Sequence, residues 1–228
     1  MAEQVGRVAA LYRYPVKSMA AEALERAEVS WHGLAGDRRW AFVRPGPAGN
    51  GFPWLTLRQR NDLNDYRPDL TGAGCRVLTP SGAKLDVTSP ELAAELGAER
   101  VMKLDRGTFD NAPLSLITTR AAARIGELSG TPAQVLRFRP NLVVEPLVGG
   151  DFPEDDWVGH ELRIGPAVMR VDQRDRRCVV ITVDPATGRR TPEVLRTVAR
   201  DRENWLGVYG SVVLPGAVEV GDPVLLAT

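Results

Sequence analysis

The stretch Arg176-Arg177-Cys178-Val179-Val180-Ile181-Thr182-Val183-Asp184-Pro185-Ala186-Thr187-Gly188 decides how the chain is read. Two cations lead into a cysteine, a β-branched run follows, and a turn sequence closes it. Val179 to Val183 reads as a buried strand, because β-branched side chains suit a pleated surface. Asp184 to Gly188 reads as the turn that ends it. Cys178 then stands at the mouth of a strand over 178–183, where a rigid element holds a site in place. Guanidinium groups beside a thiol favour the thiolate, which is the nucleophile and the metal ligand. A second reading stands beside this one. Cysteine is among the most buried residue types, and a packed structural Cys178 fits the same pattern.

Outward from this stretch the chain is punctuated into short strands. Alternating or β-branched runs predict strands over 5–12, 23–31, 38–43 and 54–57, and a hairpin of 74–79 with 83–88 around Pro80-Ser81-Gly82. Further strands are predicted over 114–117, 142–145, 157–164, 167–172, 205–214 and 223–226. Three helices fit between them. One runs from Pro90 to Leu96 behind an Ser89 cap, one over 120–128 ends at Gly130, and one over 192–200 starts behind Thr191. Loop 105–113 is the candidate boundary, giving parts 1–105 and 106–228. Many short strands with few helices predict a β-rich α+β protein rather than a doubly wound sheet. No dinucleotide, P-loop or nucleophile-elbow motif is present.

Composition narrows the function classes. The chain has 228 residues, 43% apolar and 25% charged, enough for one large or two small packed domains. Lys plus Arg is 29 and Asp plus Glu is 29, so overall charge does not point to nucleic acid. The two cysteines, Cys75 and Cys178, suggest no disulfide framework, which predicts a reducing, cytoplasmic setting. The two histidines, His32 and His160, are isolated, and no zinc-ligand spacing occurs. The start has no signal-peptide pattern, and no run approaches the ~18 apolar residues of a membrane span.

Four segments place polar or cationic groups at strand ends beside Pro or Gly: Tyr14-Pro15-Val16-Lys17-Ser18, Gly36-Asp37-Arg38-Arg39-Trp40, Phe138-Arg139-Pro140-Asn141 and Arg177-Cys178. Taken singly, each reads as a solvated surface charge. Arg174, Arg176 and Arg177 cluster near Cys178, and Arg137 and Arg139 bracket Phe138. Such clusters can hold a small anion, with Arg as a fork and Lys as a point charge.

Together these segments, with Thr182-Val183-Asp184-Pro185, Thr187-Gly188 and Val220-Gly221-Asp222-Pro223-Val224, resemble the MOSC family, named for the C-terminal domain of molybdenum cofactor sulfurase. The chain is most similar to the two-part members, whose group includes the mitochondrial amidoxime-reducing component. The resemblance implies a MOSC-type β-barrel preceded by a smaller N-terminal β-barrel-like domain. It implies a molybdenum–molybdopterin cofactor with Cys178 as the metal's protein ligand. Lys17 and Ser18 match the phosphate- and pterin-contacting pair, Arg38 a second anion contact, and Arg139 and Asn141 the R-P-N pair. Arg177 would contribute its main chain or its guanidinium. The family's loop before 114–117 carries hydroxyl residues; here only Asn111 offers a polar side chain. An aromatic position near the metal has two candidate matches, Tyr209 and Ser211.

The implied function is an oxidoreductase that reduces small N-hydroxylated substrates with electrons from a separate donor protein. The alternative is a carrier of the cofactor, or of a persulfide on Cys178, without turnover. A cofactor-free interaction module is a third reading, which the retained cations and Cys178 disfavour. No pyridoxal phosphate is expected, and two cysteines cannot build a Cys-ligated iron–sulfur cluster. Loops 44–53, 59–69 and 147–156 are the expected shapers of specificity.

Overall fold

The computed structural model describes residues 2–46, 52–72, 74–132 and 134–227. Residues 47–51 of the expected specificity loop 44–53 lie outside the described residues. The strands are, in chain order, β1 (Glu3–Arg13), β2 (Glu22–Leu24), β3 (Arg26–Ser30), β4 (Gly33–Leu34), β5 (Trp40–Val43), β6 (Arg67–Thr71), β7 (Gly74–Leu78), β8 (Lys84–Asp86) and β9 (Arg100–Lys103). They continue as β10 (Leu114–Thr118), β11 (Leu142–Pro146), β12 (Glu161–Ile164), β13 (Ala167–Arg176), β14 (Trp205–Leu214), β15 (Gly216–Glu219) and β16 (Pro223–Ala227). The helices are α1 (Pro90–Glu95), α2 (Thr119–Ser129) and α3 (Pro192–Arg202).

The chain divides into two compact units, and the division is not a single cut after 105. One unit comprises 1–12, 23–35 and 110–228, and the other 13–22 and 36–109. The difference has a simple cause: β1 pairs with β11 and with β16, so the first strand completes the sheet made by the second half of the chain.

In the larger unit, strands follow in the order β11-β10-β14-β13-β12-β16-β1, and β1 pairs back onto β11. This closes a seven-stranded barrel and removes its open edges. The β13–β14 pair slips register between Val168 and Met169, Val171 and Gln173, and Arg174 and Arg176. Bulges of this kind add the bend and twist that closure needs. Side chains alternate across each strand. On β10, Leu114 and Leu116 join the core with Val8, Leu11, Met169 and Val208. Ile117 instead joins Ala121, Ile125, Val194 and Val198 beneath α2 and α3. That is why all of β10 is buried. The Thr118 hydroxyl accepts from the Ala121 amide at the start of α2, and Gly130 ends the helix in the left-handed region at φ 62.

In the smaller unit, β6-β7-β8 form an antiparallel sheet and β5 pairs with β9. The expected hairpin is present as β7 and β8, and the Ser89 side chain caps α1 by accepting from the Leu92 amide. The expected strand at 54–57 is reduced to one bridge, Trp54 to Val43. Loop 59–69 holds a 3-10 turn, Asn61–Asp65, and the start of β6. Among the described residues no helix is long and apolar enough to cross a membrane.

The expected strand over 178–183 is not a strand. β13 runs to Arg176, and Val179–Thr182 is a 3-10 turn with Cys178 at its N-cap position. The β-branched run is buried at Ile181 and Val183, as predicted, but Val179 is 40% exposed and Val180 half-buried. A strand, however, needs its carbonyls free for a neighbouring strand. Here the Thr182 hydroxyl donates back to the Val179 carbonyl, and the Arg137 guanidinium donates to the Ile181 and Thr182 carbonyls. Likewise 157–164 is strand only over Glu161–Ile164, because the 3-10 turn Pro153–Trp157 is followed by a turn in which the His160 amide donates to the Trp157 carbonyl and Gly159 has φ 89.

Candidate functional site

In the barrel unit the candidate residues lie on two loops. The first carries Arg139 and Asn141. The 3-10 turn Val135–Phe138 ends at Arg139, whose φ of 54 is left-handed. The chain then re-enters the sheet at Asn141, which is 1% exposed. The Asn141 side-chain amide nitrogen donates to the Tyr12 carbonyl at 3.2 Å, and its oxygen accepts from the Ser115 amide at 3.2 Å. Asn141 therefore ties the ends of β1 and β10 together.

The second loop carries Arg177 and Cys178. Cys178 is partly buried and forms no disulfide. The Arg177 guanidinium pairs with Asp175 at 2.7 Å and donates to the carbonyls of Phe138 and Leu206, each at 2.7 Å. It also lies over the Phe138 ring. Its backbone amide donates to the Asn204 carbonyl at 2.7 Å. Main chain and guanidinium are thus both engaged within the protein. Gly207, at φ +72, makes room for this group: a Cβ there would stand 2.9 Å from the Arg177 Nη2.

Beyond the turn, burial pushes the Asp184 carboxyl up, but the amides of Ala186 and Thr187 and the Arg137 charge outweigh it and hold it below the usual range. Burial pulls the Arg137 guanidinium below its ordinary value, with Asp184 opposing. Arg174, expected beside the thiol as an anion contact, stacks over Trp205 and faces Asp155 at 3.7 Å. Asn111 is exposed in the loop before β10. In β14, Tyr209 pairs with Ser115 and Gln173, while Ser211 pairs with Arg170 farther from the Cys178 end.

In the smaller unit, Lys17, Ser18 and Arg38 come together. Lys17 is 6% exposed, donates to the Thr108 carbonyl at 2.5 Å, and lies over the Phe52 ring. Arg38 pairs with the fully buried Asp37 and stacks over the Tyr14 ring at 4.7 Å. Asp37 also accepts from the Tyr14 amide at 2.7 Å. Thr108 closes the cluster, its amide and hydroxyl both donating to the Arg38 carbonyl at 2.8 Å. Ser18 and Arg38 have φ of 69 and 50. Among the described residues five non-glycine positions are left-handed, and Ser18, Arg38 and Arg139 are three of them. Such backbone costs energy and persists where surrounding structure enforces it, commonly at binding sites.

Three residues that hold these clusters were not singled out from the sequence as site residues: Asp37, Asp175 and Thr108. Asp37 stands in an anchor motif, and its position before two arginines was the available signal. Thr108 acts through backbone and carries none.

The donor set fits one metal–sulfur bond. Among the described residues no three His, Cys, Asp or Glu side chains group around a metal position. A metal at Cys178 would take its remaining ligands from its cofactor. A thiolate is a soft donor suited to such a centre.

A family model described as the MOSC domain matches residues 103–225, and one described as the MOSC N-terminal beta barrel domain matches 5–113. The chain is 26% identical over 284 residues to the mitochondrial amidoxime reducing component 2 of Bos taurus, covering 97% of this chain and 83% of that protein. It is 28% identical over 253 residues to the molybdenum cofactor sulfurase of Drosophila mojavensis, covering 89% of this chain. It spans 31% of the sulfurase's length. Among solved structures, the YUAD protein of Bacillus subtilis shares the fold, with TM-score 0.56, 14% identity, and coverage of 99% and 98% of the two chains.

Proposed function

Because this chain belongs to the MOSC domain family and carries the family's N-terminal barrel domain, we propose that it is a molybdenum-cofactor-dependent oxidoreductase acting on small N-hydroxylated compounds. The observation that carries the reading is the Cys178 turn: a partly buried thiol at the end of β13, with buried guanidinium groups bonding the loop on either side. Cys178 would give the metal its protein sulfur. Arg139 would present a fork to the cofactor's anionic groups, while Asn141 and Arg177 would act by fixing the loops. In the other unit, Lys17, Ser18 and Arg38 would serve the phosphate and pterin. When bound, the molybdenum centre supplies the two-electron chemistry by which an N–O bond is cleaved. The electrons would come from a separate donor protein. The cytoplasm is the compartment this reading expects.

Turnover tests it directly. Protein loaded in a cofactor-competent host should convert an amidoxime to an amidine with a reduced dye as donor, and Cys178→Ala should abolish this. Loaded protein that never turns over, yet passes its cofactor to an apo-enzyme, would overturn the oxidoreductase reading. It would favour the second one, a carrier of cofactor or of persulfide sulfur. The similarity to molybdenum cofactor sulfurases supports that alternative.

A further inference from the structure

Two loops of the barrel unit hold each other through arginines that run in opposite directions. Arg177, one residue before Cys178, reaches the Phe138 carbonyl at 2.7 Å, immediately before Arg139. Arg137, two residues before Arg139, reaches the other way. Its Nη1 donates to the Thr182 carbonyl at 3.0 Å and the Ile181 carbonyl at 3.4 Å, and its Nη2 to the Asp184 Oδ2 at 3.0 Å. Asp184 carries the hold onward, because its Oδ1 accepts from the Ala186 and Thr187 amides at 2.9 and 3.0 Å. Side-chain exposure is 1% for Arg137 and 7% for Arg177.

We propose that Arg137 and Arg177 form a reciprocal clasp that sets the Cys178 turn and Arg139 in fixed register to each other before any cofactor arrives. Both are positioning residues. The chemistry of burial supports this over a role in general stability. A buried guanidinium is expensive to desolvate, and an apolar side chain of similar volume packs such a place at least as well. Arg137 shares one small pocket lining with the apolar Ile125, Phe138 and Val194 and with Gln134, whose Oε1 accepts from its Nη2 at 3.4 Å. What an apolar residue cannot do is bond the carbonyls of 181 and 182 and the carboxylate of Asp184. All of these lie within six residues of Cys178, and none is on a barrel strand. The sequence shows the same symmetry, with an arginine just ahead of each residue that is held. The purpose of the clasp rests on the proposed role of Cys178, but its test needs no cofactor.

The experiment uses cofactor-free full chain. Alkylation of Cys178 by iodoacetamide and amide hydrogen exchange are measured in Arg137→Met, Arg137→Lys and Asp184→Asn. Loss of a buried charge-assisted hydrogen-bond set should speed local opening about ten- to hundredfold. Amides of 179–188 should lose protection by that factor in Arg137→Met, and alkylation of the partly buried Cys178 should rise in the same direction. β12 and the first half of β13 should keep theirs. Arg137→Lys should restore part of the effect, because one ammonium can still reach one acceptor. Arg177→Lys should loosen 135–139, the loop across from it. If Arg137→Met does not fold, Asp184→Asn decides, since it leaves the carbonyl bonds of Arg137 in place and should still raise the Cys178 rate. Unchanged Cys178 alkylation in folded Arg137→Met, or in Asp184→Asn, overturns the clasp. So does protection lost equally through the barrel strands. Molybdenum content, measured separately in Cys178→Ala, reports on the cofactor reading whatever these rates show.

Discussion

Replacing Gly207 by alanine should damage the barrel unit more than its small size suggests. Gly207 lies on β14 where the β13–β14 register slips between Arg174 and Arg176, and its φ is +72. Left-handed backbone costs a residue with a Cβ about 1–2 kcal/mol. The added Cβ would stand 2.8 Å from the Leu116 carbonyl oxygen and 2.9 Å from the Arg177 Nη2. Leu116 is held in the β10–β14 ladder, and Arg177 is held by Asp175, Phe138 and Leu206, so neither yields freely. Overpacking of this kind adds about 1–3 kcal/mol. The sum is roughly 2–5 kcal/mol. Native-state hydrogen exchange of β10, β13 and β14 amides reads this unit directly. At a factor of ten per 1.4 kcal/mol, protection should fall about thirty- to several-thousandfold. Gly130→Ala is the control: φ is +62 at the end of α2, and a Cβ there meets nothing within 4 Å. It should show the conformational cost alone. If Gly207→Ala is no worse than Gly130→Ala, the steric argument, and with it the tight seating of Arg177, is wrong.

Two further predictions concern buried carboxyls. Burial raises the Glu154 carboxyl above its ordinary value, with neighbouring Asp155 adding to this and the Thr118 hydroxyl and amide opposing. The folded chain therefore binds this proton more tightly than the unfolded chain. The resulting stability is full below the ordinary glutamate range and is lost as pH rises through the raised folded value. Glu154→Gln does not titrate, so urea midpoints should shift in favour of the variant across that window; a pH-independent difference would contradict the assignment. Asp37→Ala removes the carboxylate that Arg38 and the Tyr14 amide share, and should cost the smaller unit about 3–5 kcal/mol in urea unfolding, with Asp37→Asn milder. Equal stability of Asp37→Ala and the parent would show that the buried pair contributes nothing.

The legible parts of the fold were those with local causes. The Ser89 cap with Pro90, the Gly130 stop and the Pro80-Ser81-Gly82 hairpin each depend on a few adjacent residues, and each is present. Val179–Thr182 reads as a strand in sequence because β-branched content carries no information on which groups claim its carbonyls. Its carbonyls are claimed by Arg137, more than forty residues away in sequence. The share of β1 in the barrel is hidden for the same reason, since its partners β11 and β16 lie about 130 residues or more away in sequence. At the site, residue types were legible and their engagements were not. Arg177 looks in sequence like a charge offered to the thiol or to an anion, yet its guanidinium holds Asp175 and two carbonyls. Arg139 and Ser18 carried no sign in sequence of their left-handed backbone.

Cofactor binding at Cys178 is measured as molybdenum per chain by elemental analysis, with fluorescence of the oxidised pterin. The measurement is run on the parent and on Cys178→Ala from a host shown to load a control enzyme. Near-stoichiometric metal is expected in the parent, with a sharp fall in Cys178→Ala while the variant stays folded. Well-folded parent protein that carries neither metal nor pterin would contradict cofactor binding.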